Sequence, residues 1–251
     1  MRYFIHLAYN GEKYHGWQIQ PNASSVQETL ERAMSLLLGV KISLVGAGRT
    51  DTGVHARSMT AHFEVEDELH DKGLLVEKLN RFLPPDIAIY DIRRVKDDAH
   101  ARFSALSRTY RYYVSTKKNP FKKDFVWRIN GSLDIEQMNK AAEMLFRYVD
   151  FTSFSKLHTD TKTNNCKIMH AEWTRETDTD FVFEIKADRF LRNMVRAIVG
   201  TLVEVGKGKM TVDDFCRVIE KKDRCAAGNS VPAHALFLVD VGYPDEVYCS
   251  L

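Results

Sequence analysis

The stretch Gly46–Ala56, GAGRTDTGVHA, sets an Arg, an Asp and a His among three glycines with almost nothing apolar to bury. Glycine lets a backbone take positive φ and pass close to a ligand, and a carboxylate placed there does not serve core packing. Arg49, two residues before Asp51, favours the ionised carboxylate. An ionised carboxylate suits a nucleophile or a stabiliser of positive charge, and suits a general acid badly. The competing reading is an Asx turn, in which Asp51 only bonds its own backbone. Spacing excludes other chemistries. A dinucleotide fingerprint would need its third glycine where Asp51 stands, and no Gly-Lys-Ser/Thr follows to make a P-loop. A metal site is poorly supported, because His55 and His62 are not four apart and no cysteine is near. His62-Phe63-Glu64 has the H-x-E of zinc deaminases without their P-C-x-x-C.

A second group of residues points to a polyanion. Between Ala99 and Gly131 stand eight Lys or Arg against Asp124 alone, a net +7 that leaves −5 for the rest of a chain whose total is +2. Phe103, Tyr110, Tyr112, Tyr113, Phe121, Phe125 and Trp127 are interleaved with those charges. Cations among exposed aromatics suit unstacked nucleic-acid bases; a solvated strand pair whose aromatics fill the core explains the same composition. A third group lies in RFLRNMVRAIVGTLVEVG, Arg189–Gly206, read as one helix. At about 100° per residue its apolar residues share one arc, with Arg189, Arg192 and Arg196 beside it. An Arg at the rim of a buried face needs an anion, or else snorkels to water.

The elements that must position these residues follow from periodicity. RYFIHLAY alternates and ends at Asn10-Gly11, a strand and turn. A helix runs from Ser24 or Ser25 to Gly39, Lys41–Gly48 is a strand into a loop, and Ala56–Glu66 is a second alternating strand. A helix over Leu75–Asp86 ends at Pro84-Pro85, and Ile87–Val95 is a strand. The second half repeats the theme, with strands at Arg108–Thr116, Cys166–Glu176, Asp180–Asp188 and Ala235–Pro244 and helices at Asp134–Phe146, Arg189–Gly206 and Thr211–Lys221. The expectation is an α+β protein of two β-α-β-β-α-β-like halves with antiparallel-rich mixed sheets joined side by side, helices on one face and a central cleft. Residues 1–100 form the half with the Asp loop and residues 101–251 the half with the Tyr and Arg motifs.

Bulk properties agree with a folded soluble chain. At 251 residues, 44% hydrophobic and 28% charged, it can bury a real core. No apolar run approaches the roughly 20 residues of a membrane span, and the N-terminus does not read as a signal peptide. Cys166, Cys216, Cys225 and Cys249 include no C-x-x-C pair, which suits reduced thiols in the cytoplasm.

GAGRTDTGVHA resembles the signature of the tRNA pseudouridine synthase A family, and further blocks follow in the family's order. NGEKYHGWQIQPNASSVQETLE is similar to its opening, AHARFSALSRTYRYYV to its second motif, FLRNMVRAIVGTL to its third and VPAHALFLVDVGYP to its last strand. The resemblance implies a cytoplasmic homodimer that needs neither cofactor nor metal and converts uridines 38 to 40 of the tRNA anticodon stem-loop to pseudouridine. It implies Asp51 as the catalytic residue, with Tyr110, Arg49, Arg196 and Leu236 binding substrate. Base flipping would bring the uridine to Asp51, followed by C1′–N1 cleavage and C1′–C5 rejoining. Attack at C1′, attack at C6 and removal of the 2′ proton are all open to the carboxylate. Two departures stand out: Val149 where the family commonly has His, and the segment Lys156–Lys167. A non-catalytic RNA-binding module would leave Asp51 without a purpose, and a glycosidase-like enzyme would want a second carboxylate.

Overall fold

The computed structural model describes residues 1–156 and 162–249; residues 157–161 of the divergent Lys156–Lys167 segment lie outside the described residues. The described chain is α+β, with nine strands and five α-helices. It divides into two compact units, one of residues 1–106 with those from 238 onward, the other of residues 107–237. The last strand, read above as part of the second half, is therefore grouped mainly with the first.

In the first unit, Arg2–Tyr9 (β1) buries Tyr3, Phe4, Ile5 and Leu7. It runs antiparallel to both His55–Glu64 (β3) and Ile87–Val95 (β4). Val45–Gly46 (β2) pairs with β3, and Leu236–Gly242 (β9) follows β3, giving the order β4-β1-β3-β9. Val26–Leu38 (α1) begins at Ser25, whose hydroxyl accepts the Glu28 amide at 3.2 Å, and ends at Gly39 in the left-handed region. Its buried face is Val26, Leu30, Ala33 and Met34. Lys72–Phe82 (α2) starts earlier than its apolar pattern suggests, because Asp71 caps it through the Leu74 amide at 2.7 Å. Phe4 packs with Val95, Ala99, Ala101 and Val247, and its ring meets Tyr243 and Tyr248 at 5.0 and 6.2 Å. These contacts explain why the C-terminal segment belongs to this unit: Tyr243, Val247 and Tyr248 cover the apolar surface around Phe4.

Of the strand expected to lead into the loop within Lys41–Gly48, only β2 forms. Ile42 and Leu44 are buried, but side chains of α1 satisfy the backbone there instead of a neighbouring strand. The Ile42 amide donates to Ser35 Oγ at 2.9 Å, and the Leu44 amide donates to Glu31 Oε1 at 2.8 Å.

In the second unit, Ser107–Ser115 (β5) pairs antiparallel with Asp180–Ala187 (β8), which pairs antiparallel with Ile168–Arg175 (β7). Trp127–Arg128 (β6) adds two residues parallel to β5. The helices are Ile135–Met144 (α3), Met194–Gly206 (α4) and Val212–Glu220 (α5). Asp134 caps α3, and a Thr211–Asp214 capping box starts α5. Gly206 lets α3 and α4 approach closely, since a Cβ there would collide with Met138. Trp173 against Phe183, at 5.1 Å, and Phe154 against Phe215, at 6.1 Å, fill the core. Among the described residues no helix is long and apolar enough to cross a membrane, and no cluster of three His, Cys, Asp or Glu could hold a metal ion. The four cysteines are free thiols, Cys166 buried and its pKa pushed up to about 12 by that burial.

Candidate active site

The Asp51 loop is held by a neighbour that the motif itself does not contain, the segment Gly11–Trp17. The Trp17 amide donates to the Thr50 carbonyl at 3.3 Å, and the Gly53 amide donates to the Tyr14 carbonyl at 3.3 Å. The Gly11 amide donates to His55 Nδ1 at 3.0 Å, and the Tyr9 and Thr50 hydroxyls bond at 2.8 Å. Gly11 and Gly16 make this approach possible, because a Cβ on either would overlap the backbone of Val54 or of Thr50. Tyr14 is anchored in turn by its hydroxyl, which donates to Asp86 at 2.7 Å. Two glycines five apart in NGEKYHGW were the available signal for this support.

The three glycines of the motif serve different ends. Gly46 leaves room for the Trp17 indole, whose Nε1 would lie 2.5 Å from a Cβ there. Gly48 has open space around it, and Gly53 takes φ +76° in the turn closed by the Val54 amide on the Asp51 carbonyl at 3.1 Å. Within this frame Thr50 is buried, Asp51 half-buried and Arg49 exposed. The buried Thr50 before it and the Gly53 amide bonded to Tyr14 after it fix where the Asp51 side chain leaves the backbone. His55 is buried and spends its Nδ1 on the Gly11 amide, so it is a structural histidine.

The remaining site candidates lie in the second unit. Arg196 sits on the first turns of α4, half-buried, and its Nε donates to the Val231 carbonyl at 2.6 Å; the Val231 amide returns a bond to the Arg196 carbonyl at 3.3 Å. The Tyr112 hydroxyl donates to the next carbonyl, Pro232, at 2.9 Å. Burial raises the Tyr112 pKa, with the Arg196 charge opposing. Together they fasten the segment that leads through Ala233–Ala235 to Leu236, which is buried at the start of β9. Gly200 lets that segment lie on α4, since a Cβ there would overlap the Asn229 carbonyl. Tyr110 is on β5, two residues before Tyr112 and so on the same strand face, half-buried, with its ring edge-on to Phe190 at 5.2 Å.

One expectation about this region fails. Helix α4 begins at Met194, not at Arg189, so Arg189 and Arg192 do not share a helical face with Arg196. Asn193 interrupts the pattern with φ +67°, a conformation Asn tolerates, and donates its side-chain amide to Ser230. The aromatics of the basic segment divide by burial. Tyr112 is core, whereas Phe103 and Phe121 are 76% and 94% exposed. Val149 is exposed, so its departure from His disturbs no core.

The sequence profile of a family described as tRNA pseudouridine synthase matches residues 6–104 and 141–244. Those ranges contain Arg49, Asp51, Arg196 and Leu236, and Tyr110 falls between them. The chain is 62% identical over 247 residues to the tRNA pseudouridine synthase A of Parabacteroides distasonis, covering 98% of each. The protein of that name from Bacteroides thetaiotaomicron is 62% identical over 249 residues, covering 98% of this chain and 92% of the relative. That from Bacteroides fragilis is 60% identical over 247 residues, covering 98% of each.

Proposed function

The chain belongs to the tRNA pseudouridine synthase family, and on that premise we propose that it isomerises uridines 38, 39 and 40 of the tRNA anticodon stem-loop through Asp51. It is an isomerase of tRNA uridine. The reaction breaks C1′–N1, forms C1′–C5, releases the C5 proton and returns a proton to N1, so nothing is oxidised and no co-reactant is consumed. Asp51 acts on the flipped nucleotide as an ionised group, Tyr110 stacks on the detached uracil, Arg49 and Arg196 meet its negative charges and Leu236 lines the pocket. Lysines of the Ala99–Gly131 segment grip tRNA phosphates. The enzyme works in the cytoplasm as a homodimer, without cofactor or metal. The observation that carries the reading is the Asp51 loop, a carboxylate kept half-buried on a backbone pinned from both sides.

The test is tritium release from C5-labelled uridine in tRNA. Wild type is expected to release label to water and to liberate no free base. Asp51→Asn should lose about 10³-fold or more of that activity, as removal of a nucleophile does, while tRNA affinity stays within a few-fold. Free uracil would favour a glycosidase, and full activity in the Asp51→Asn protein would remove Asp51 from the chemistry.

A further inference from the structure

The turn at His100–Ser104 is built more rigidly than a loop linking two strands requires. His100 Nδ1 accepts two backbone amides, from Arg102 at 3.1 Å and Phe103 at 3.3 Å. The Ala101 amide donates to His62 Nδ1 at 3.1 Å, and the Ala101 carbonyl accepts the Tyr243 hydroxyl at 2.5 Å. Ser104 closes the turn, its amide donating to the His100 carbonyl at 2.8 Å and its hydroxyl accepting the His100 amide at 2.9 Å. Ala101 is fully buried among Phe4, Val95, Ala99 and Val247, so the turn stands on the core of the first unit.

What this frame presents is a row of rings. His62 meets His100 edge-on at 4.6 Å and 66°, and His100 lies tilted against Phe103 at 4.3 Å and 35°. Both imidazoles use Nδ1 as an acceptor, so both are neutral with the proton on Nε2. Phe103, the outermost ring, is 76% exposed, and the Arg102 guanidinium carbon lies 5.6 Å from its centre. An apolar ring held on a rigid support and left to water gains nothing for the fold of this unit. Its chemistry, a fixed π-face beside a cation, is that of single-stranded nucleic-acid sites, where a base covers the ring and its phosphate meets the cation.

We propose that Phe103, backed by His100 and His62, is a stacking platform for an unpaired base of the tRNA substrate, with Arg102 at the adjoining phosphate. The proposal rests on the tRNA-modifying reading of the chain but not on the role of Asp51. The ring binds a base that is not the one being isomerised, so it contributes to affinity and placement. Stacking exchanges no counterions, so its contribution is the same at low and at high salt, unlike a phosphate contact.

The experiment is equilibrium binding of unmodified tRNA to the full-length protein in the Asp51→Asn background, where turnover cannot intrude. Phe103→Ala and Phe103→Leu are each expected to raise Kd by roughly 5- to 150-fold, the range for loss of one stacked base, and Phe103→Trp to bind within threefold of Phe103. The Leu and Trp arms separate a π-face from apolar bulk. The deficit of Phe103→Leu should be equal at 50 and 200 mM salt, whereas Arg102→Gln should lower the salt slope by about 1. Kd within twofold of the parent for both Ala and Leu overturns the proposal. So does a variant that binds normally but changes the oligomeric state, which would assign Phe103 to a protein interface. Should wild type isomerise no uridine while the Phe103 series behaves as stated, the catalytic reading falls and the platform stands.

Discussion

Replacing Gly16 by alanine puts a methyl group into the contact that holds the Asp51 loop. Built on the Gly16 backbone, the new Cβ lies 2.3 Å from the Thr50 carbonyl oxygen and 3.2 Å from the Asp51 carbonyl carbon. Even the tightest separation that real Cβ atoms show, 3.0 Å, requires about 0.7 Å of movement, and the obstacle is backbone, which cannot rotate away. Gly16 is also at φ +88°, where alanine is strained by roughly 1–2 kcal/mol. The loop is tied to this segment through Thr50, so the displacement passes to Asp51 one residue on. A misplacement of about 1 Å at a reacting group can cost on the order of 10²-fold in rate. We therefore expect Gly16→Ala to fold, to lose about 1–3 kcal/mol of stability from the combined strain and overlap, and to drop about 100-fold in kcat/KM for tritium release. Its tRNA Kd should stay within threefold. Gly39→Ala is the control, since Gly39 has φ +70° but nothing within 4 Å of a Cβ. It should show the strain, about 1–2 kcal/mol, with unaltered kcat/KM. A folded Gly16→Ala enzyme with kcat/KM within threefold of wild type would refute the claim that this segment sets the position of Asp51.

Two further outcomes are expected. Stability should decline as pH falls from 7 to 5, because burial, followed by the charges of His100 and Arg2, lowers the His62 pKa to about 4. The unfolded state binds the proton near pH 6.5, so the stabilisation is complete above that value and is lost toward pH 4, by at most about 1.4 kcal/mol per pH unit. His100, also lowered, acts in the same direction. Urea titrations of wild type and His62→Gln should show a shallower decline for the variant, and identical slopes would contradict it. In the second unit, Lys117, Lys118 and Lys123 are exposed, Lys123 lying 4.0 Å from Asp124, whereas Lys122 is engaged more closely with Asp180 at 2.8 Å. Replacing the three exposed lysines by alanine should lower the slope of log Kd against log salt by about 2–3, measured with unmodified tRNA. An unchanged slope would remove the 117–123 segment from the RNA interface.

Local chemistry was enough for much of this protein. Alternation in RYFIHLAY, the cap at Ser25, the stop at Gly39 and the prolines after α2 each act over a few residues, so the order of strands and helices, apart from the two-residue β6, is legible in the sequence. Asp51 also stands out locally, a charged side chain among glycines, but the residues alone leave an Asx turn open and its proposed role rests on the family resemblance. Where local signals competed with partners distant in sequence, only the folded chain decided. Asn193, at φ +67° with its side-chain amide bonded to Ser230 37 residues away, holds the start of α4 back to Met194. Lys41–Leu44 lost its strand ladder to side chains of α1. Seven aromatics of one composition were sorted into the buried Tyr112 and the exposed Phe103 by which strand face or turn carries each. The support for Asp51 was hidden for the same reason. Gly11 and Gly16 are needed because the backbones of Val54 and Thr50 press against them, a contact between segments about 34 to 43 residues apart that no periodicity encodes.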